Sequence, residues 1–218
     1  MKQFLKSYIQ LFLLLLLTVV SFSLSAQNIE NEWQTRTAFT AQFKLAKKLK
    51  MEIAPEIRFE DQFNLDRTQL EAELKYKALD YLTIGTRYRY IINYRVNKDT
   101  EYMHRYLFNA TLKKDFDRWT SGFRLNYTDY TDDNDGSAFL RYKGFFSYNI
   151  KNCKLTPKAS FQAYHDLSNS EWYKLRYAVG FDYKISKKNS IGLSYKLDYY
   201  LNEARNRHII DIGYKIKF

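Results

Sequence analysis

Ionisable side chains recur along this chain at every second position, the spacing that places them on one face of an extended strand. Glu52, Glu56 and Arg58 follow the rule, with Glu60 at the end of the run, and Glu71 and Glu73 repeat it in the next segment. Arg87 and Arg89 come next, followed at wider intervals by Arg105, Arg124, Arg141, Lys143, Lys158 and Arg176. Carboxylates thus gather early and cations dominate later, which predicts an interior segregated by sign. Two kinds of chemistry suit such a set. Guanidinium and carboxylate groups on one face satisfy each other in a hydrogen-bonded network, which offsets the cost of taking charges out of water. Alternatively, opposed stripes line a wet path whose transverse field orients small polar or anionic solutes.

Catalytic chemistry finds less support. A lipid-modifying hydrolase needs a His beside a Ser nucleophile, with an acid or amide to orient the ring. The three His, His104, His165 and His208, all fall on the parity opposite to the charges and close to the same strand ends. Ser168 and Ser170 are in a loop, and Asp211 lies on the face opposite His208, so no triad is completed. No pair of His or Cys has metal-ligand spacing, no loop matches a calcium motif, and no glycine-rich phosphate loop occurs. The acidic stretch Thr131-Asp132-Asp133-Asn134-Asp135-Gly136 reads as a solvated loop tip. The expectation is no catalytic residue, no metal and no cofactor. Cys153 is the single cysteine, so no disulfide forms within the chain.

The elements that must hold these charges are strands. Among 218 residues there are 20 Tyr and 16 Phe but only two Pro and seven Gly, with 27% charged residues, a composition that suits a wall between two different solvents. The clearest strand is 82–94, where Leu82, Ile84, Thr86, Tyr88, Tyr90, Ile92 and Tyr94 alternate with Arg87, Arg89 and their neighbours. An Arg on the lipid face would cost about 2–4 kcal/mol near the bilayer midplane, so the tyrosine side is the outer one. The same phase runs through 33–45, 49–60, 67–77, 102–113, 119–130, 139–149, 154–165, 173–185, 191–201 and 207–218.

Between these segments, tight turns alternate with longer loops rich in Asn, Asp and Glu; in barrels the short turns face the periplasm. Lys114–Asp117 is one of the predicted turns, and Trp33, Trp119, Tyr148, Trp172, Tyr199 and Tyr200 fall near strand ends, where rings favour the lipid–water interface. Eleven segments result, whereas bacterial single-chain barrels have an even number of strands, so ten to twelve are expected. Pro55 and Pro157 are expected at bulges or strand ends, because a closed barrel has no free edge for a residue without an N–H.

Residues 1–26 read as a secretory signal: Lys2 and Lys6, then the apolar run from Leu11 to Val20, then Ser23-Leu24-Ser25-Ala26 before Gln27. The net charge of +11 would suit an anionic partner, but the charges alternate along strands and form no runs, so nucleic acid is not expected. The prediction is an all-β protein: a transmembrane, antiparallel outer-membrane β-barrel of ten to twelve strands over residues 27–218, exported by a cleaved signal peptide.

Several short elements carry a family resemblance. Ser25-Ala26-Gln27, Trp33, Glu56-Ile57-Arg58-Phe59, Arg87-Tyr88-Arg89-Tyr90 and Tyr214-Lys215-Ile216-Lys217-Phe218 resemble the outer-membrane barrel family known as domain of unknown function 2490. The resemblance covers the mature chain and implies a barrel, with no activity to transfer. The end of the chain also resembles the assembly signal read by the barrel-insertion machinery, carried here by Asp211, Gly213, Tyr214, Ile216 and Phe218. In that reading Gly213 permits close approach of another backbone, and the machinery and the outer-membrane lipid are the implied partners. The functional expectation is a non-enzymatic structural or surface-interaction barrel; the alternatives are a narrow pore for small polar or anionic solutes and, more distantly, a lipid-modifying hydrolase.

Overall fold

A strand with one apolar and one charged face buries neither face alone. Closing a sheet on itself sequesters the charged face in a lumen and leaves no unpaired edge. The computed structural model describes residues 29–95, 99–130 and 138–218, apart from the side chains of Gln62 and Tyr130, and the unit Asn31–Phe218 is the barrel. The signal segment 1–26 and the acidic loop 131–137 lie outside the described residues.

Among the described residues eleven strands form the wall: β1 (Glu30–Lys44), β2 (Leu49–Phe59), β3 (Leu65–Lys77), β4 (Leu82–Asn93), β5 (Glu101–Phe116), β6 (Trp119–Tyr130), β7 (Phe139–Tyr148), β8 (Leu155–Asp166), β9 (Glu171–Lys184), β10 (Asn189–Tyr200) and β11 (Arg205–Lys217). A single turn of 3-10 helix, Asp61–Phe63, lies between β2 and β3. Every pair consecutive in sequence is antiparallel, and β11 returns to β1 to close the barrel.

The strand number has a consequence that corrects the antiparallel expectation. Alternating directions cannot be maintained around a ring with an odd number of members, so one junction must be parallel. That junction is β1–β11. Trp33 stacks on His208, Phe39 on Tyr214 and Phe43 on Phe218, so the partners advance together along both strands. The Phe218 N–H donates to the Gln42 carbonyl at 2.8 Å. β1 therefore starts at the end of the barrel with the longer loops and β11 finishes at the end with the tight turns; an even-stranded barrel would return both to one end.

The parity assigned to the strands holds around the wall. Phe39, Leu74, Ile84, Phe108, Val179 and Leu193 are among the exposed residues of the outer face. The buried hydrophobic residues among those described are Ile91, Leu107, Phe139, Tyr164, Tyr200 and Ile209, all inside. The barrel is inverted relative to a water-soluble one, with apolar groups outside and charge inside.

Four local expectations are corrected. Pro55 lies within β2, not at its end, and the β2 bulge is at Arg58/Phe59. The missing N–H is absorbed by a gap in the β1–β2 ladder, whose pairs stop at Ala38↔Glu56 and resume at Ala41↔Ile53. Pro157, by contrast, stands near the start of β8, beyond the last β7–β8 pair, Ser147↔Lys158. The segment 114–117 is not all turn: β5 continues to Phe116, and the connection is Asp117–Arg118, with Asp117 at φ 50°, a left-handed conformation that Asp tolerates. Tyr200 is 8% exposed and turned inward, so it does not join the rings of the outer face; its neighbour Tyr199, one position away and on the other face, is 43% exposed. Finally, Glu60 is in the loop after β2, outside any strand. There burial and the nearby Asp66 push its carboxyl above the usual range, against the weaker pull of Arg207 at 3.8 Å.

Candidate functional site in the barrel lumen

The inward charges meet because register brings them level. Across β3–β4, Glu71 faces Arg89 and Glu73 faces Arg87. Glu71 accepts from Arg89 Nη2 at 2.5 Å and from Arg87 Nη1 at 3.1 Å, while Glu73 accepts from Arg87 Nη2 at 2.6 Å, from Lys75 at 3.2 Å and from Asn109 Nδ2 at 3.0 Å. Glu73 is 3% exposed, so these partners replace the water it has lost. Glu56 accepts from Arg58 at 2.6 Å, and Arg58 also donates to Gln69 at 3.2 Å. Arg36 completes this layer through Gln34 at 2.6 Å.

Glu52 ties the layer across the parallel seam. It accepts from Lys75 and from Lys215 at 2.5 Å each, and from Gln42 at 2.6 Å. Three strands besides its own thereby converge on one carboxylate. Further toward the loop end, Glu32 of β1 accepts from Arg207 at 2.7 Å and Arg205 at 3.1 Å of β11.

A second centre occupies β8–β10. Asp198, 1% exposed, faces Arg176 in register and is bound by both its Nε and its Nη2, the latter at 2.6 Å; Lys174 adds a third contact at 3.2 Å. Above it lies the Tyr164 ring, 4.4 Å from Lys174 Nζ and 5.5 Å from the Arg176 guanidinium. A bulge at Tyr164/His165 opposes Trp172 to His165 and Lys174 to Tyr164, leaving Tyr173 as the extra residue. That residue packs inward on Tyr164 at 5.7 Å and Phe139 at 6.0 Å.

The structure therefore joins Glu52, Glu71, Glu73, Arg87 and Arg89 into one network through Lys75, pairs Glu56 with Arg58 beside it, and puts Arg176 in another. Arg105 is on the inner face opposite Arg89. Arg124, Arg141 and Lys143 are inside but form no ion pair among the described residues: Arg124 donates to Thr111 at 2.8 Å and Arg141 to Thr128 at 3.1 Å. The interior is accordingly not two opposed stripes. Arg87 and Arg89 reach across to the acidic strand and neutralise it locally, which leaves the excess of positive charge on β6–β7. Asp198, Lys174, Tyr164 and Lys215 were not singled out as site residues. All obey the inward parity, but their partnerships depend on register between strands, which a single strand does not encode.

The outer face carries the histidines. Tyr88 Oη and His104 Nδ1 are 2.6 Å apart, as are Tyr195 Oη and His208 Nδ1; His165 packs against Trp172 at 4.9 Å. Each His is thus held in an aromatic cluster near the loop end. No group of His, Cys, Asp and Glu arranged to hold a metal occurs among the described residues.

At the end of β11, Asp211 points inward and binds Lys196, whereas Tyr214 and Phe218 stack across the seam on Phe39 and Phe43; Ile216 shares their outer face, opposite Asn189. The steric reason expected for Gly213 does not hold. A Cβ there would meet nothing within 4 Å, and its register partner is another glycine, Gly192. Crowding applies instead at Gly122, where a Cβ would run into the Phe145 ring and the Leu112 carbonyl, and at Gly180, where it would meet the Leu193 carbonyl.

An inverted closed barrel with a charge-linked interior is the class these features define. The model of the family described as protein of unknown function DUF2490 matches residues 33–209, and the chain belongs to that family. No curated protein matches the chain.

Proposed function

We propose that the chain is an exported outer-membrane barrel of non-enzymatic type, closed to solutes by its own side chains and acting as a structural or surface-interaction protein. The observation that carries the closed reading is the burial of the inward residues in the loop half: Asp198 is 1% exposed, Tyr164 3% and Ile91 and Ile209 0%. Barrels of about eight strands fill with side chains and those of sixteen or more leave a channel; here paired charges and rings fill the gap in between.

The membrane reading is supported by the apolar exterior and by strand lengths, since the shortest strand, β7, has 10 residues and a tilted transmembrane strand needs about 9–11. In this reading residues 1–26 are a cleaved signal peptide and outer-membrane lipid covers the wall. The tight turns face the periplasm, and Asp211, Gly213, Tyr214, Ile216 and Phe218 are what the barrel-insertion machinery reads. Fractionation tests the address: the chain is expected in the outer-membrane fraction, with mobility on gels that changes on heating, and recovery in a soluble fraction contradicts it. Liposome swelling tests closure: vesicles carrying the folded barrel should admit a small uncharged sugar no faster than empty vesicles.

A further inference from the structure

The lumen is not filled evenly. Toward the tight turns, a cavity of about 360 Å³ opens among β6–β11, within the range of about 300–1,000 Å³ usual for small-molecule pockets. Its origin is in the sequence: Ser160, Ala178, Gly180, Gly192 and Ser194 all take inward positions at this level, where the loop half has Tyr164, Lys174, Arg176 and Asp198. A Cβ at Gly192 would stand 2.6 Å from Asp182 Oδ1 and 3.4 Å from Lys158 Nζ, so the glycine leaves room for that ion pair.

The charged lining is unbalanced. Arg124, Lys143, Lys158 and Lys196 face Asp182 and Asp211. Lys158 is paired with Asp182 at 2.5 Å and Lys196 with Asp211, which leaves Arg124 and Lys143. These two stand directly opposite each other in the β6–β7 register, and the strands on either side offer them Thr111 and Gln162, neither of which is charged. Like charges directly opposite on adjacent strands repel and are destabilising. Two cations held together at the wall of a cavity, with no carboxylate paired to either among the described residues, form a receptor for an anion.

We propose that this cavity is a binding site for a small phosphate-type oxyanion, with Arg124 and Lys143 as its primary contacts and the Phe145 ring in the lining beside them. The cavity is larger than a bare phosphate, so a phosphate ester of a few carbons fits the class. The inference requires only the folded barrel; a conducting barrel would overturn the closed-lumen reading and leave this one standing.

The test is equilibrium dialysis of the full chain, refolded in detergent micelles, against labelled inorganic phosphate at fixed ionic strength. Saturable binding is expected, weakened at least about tenfold by Lys143→Met or Arg124→Met, each of which removes one charge-assisted contact, and unchanged by Lys188→Met in the β9–β10 turn. Absence of saturable uptake by folded protein, or an equal loss in the Lys188 variant, overturns the proposal. Should the lumen variants not fold, the unmodified chain still decides: phosphate must raise its thermal midpoint above that in chloride of equal ionic strength, and identical midpoints reject the site.

Discussion

At the scale of single residues, the lumen is organised by carboxylates that each hold several cations. Asp198 is the clearest case, with both guanidinium contacts of Arg176 and the ammonium of Lys174 converging on a group that is 1% exposed. Removing one member of a buried set strands the others, at a cost of about 3–5 kcal/mol. Asp198→Ala should therefore lower the urea midpoint strongly, whereas removing Arg176 together with it should cost less. A double variant that loses as much as the two single variants added together would mean that the pair is not coupled. A different sign is expected at Glu60, whose carboxyl is pushed up by burial and Asp66. A raised carboxyl pKa means that the folded state holds the proton more tightly than the unfolded chain. Ionised Glu60 therefore opposes folding above that pKa, and the penalty fades as pH falls through it. Glu60→Gln should raise the unfolding midpoint at pH 8 and leave it unchanged at pH 4; a fall at pH 8 would assign the contact with Arg207 the larger role. The inward parity of such residues was legible in the sequence, because an arginine on the lipid side is too costly. Tyr200 was misread for the opposite reason: aromatic rings suit an interface and a cation-lined interior equally well, and only its position after Tyr199 distinguishes the two.

At the scale of elements, the β1–β11 seam departs most from the repeating hairpin. Parallel pairing is slightly weaker per residue than antiparallel, and no turn tethers these two strands. The side chains compensate on both faces: Lys215 and Arg207 bind Glu52 and Glu32 inside, while three stacked ring pairs run along the outside. Each aromatic pair contributes about 0.5–1.5 kcal/mol beyond its burial. Phe43→Ala and Phe218→Ala should each lower stability by at least that amount, and a double-mutant cycle should show coupling; additive losses would place the stabilisation elsewhere. Eleven segments were legible from alternation alone, but the parallel seam was not, since it follows from closure of the ring and not from any one strand. Pro55 was unreadable for a similar reason, because the gap that accommodates it belongs to the β1–β2 ladder. The reading of Gly213 erred over what lies across from it: a glycine signals missing volume, and only the fold distinguishes a close neighbour from a cavity.

At the scale of the whole molecule, the barrel is filled toward the loops and, among β6–β11, hollow toward the turns. On β8–β10 the difference comes from inward residue size, large and paired toward the loops and small toward the turns, and it was readable in outline once the strands were phased. What the sequence did not provide was the height of each residue relative to its neighbours, which register alone sets. The filled half should be the barrier to solutes. Arg176→Ala combined with Asp198→Ala removes one charge of each sign and much of the volume at the barrier, so that variant should admit ions if it folds. The most direct test is single-channel recording in planar bilayers at two salt concentrations, with the unmodified chain and this double variant side by side. The unmodified barrel should be silent and the variant should give steps that grow with salt. Stable, salt-dependent steps from the unmodified barrel would contradict the closed lumen and make the charged interior a conducting path.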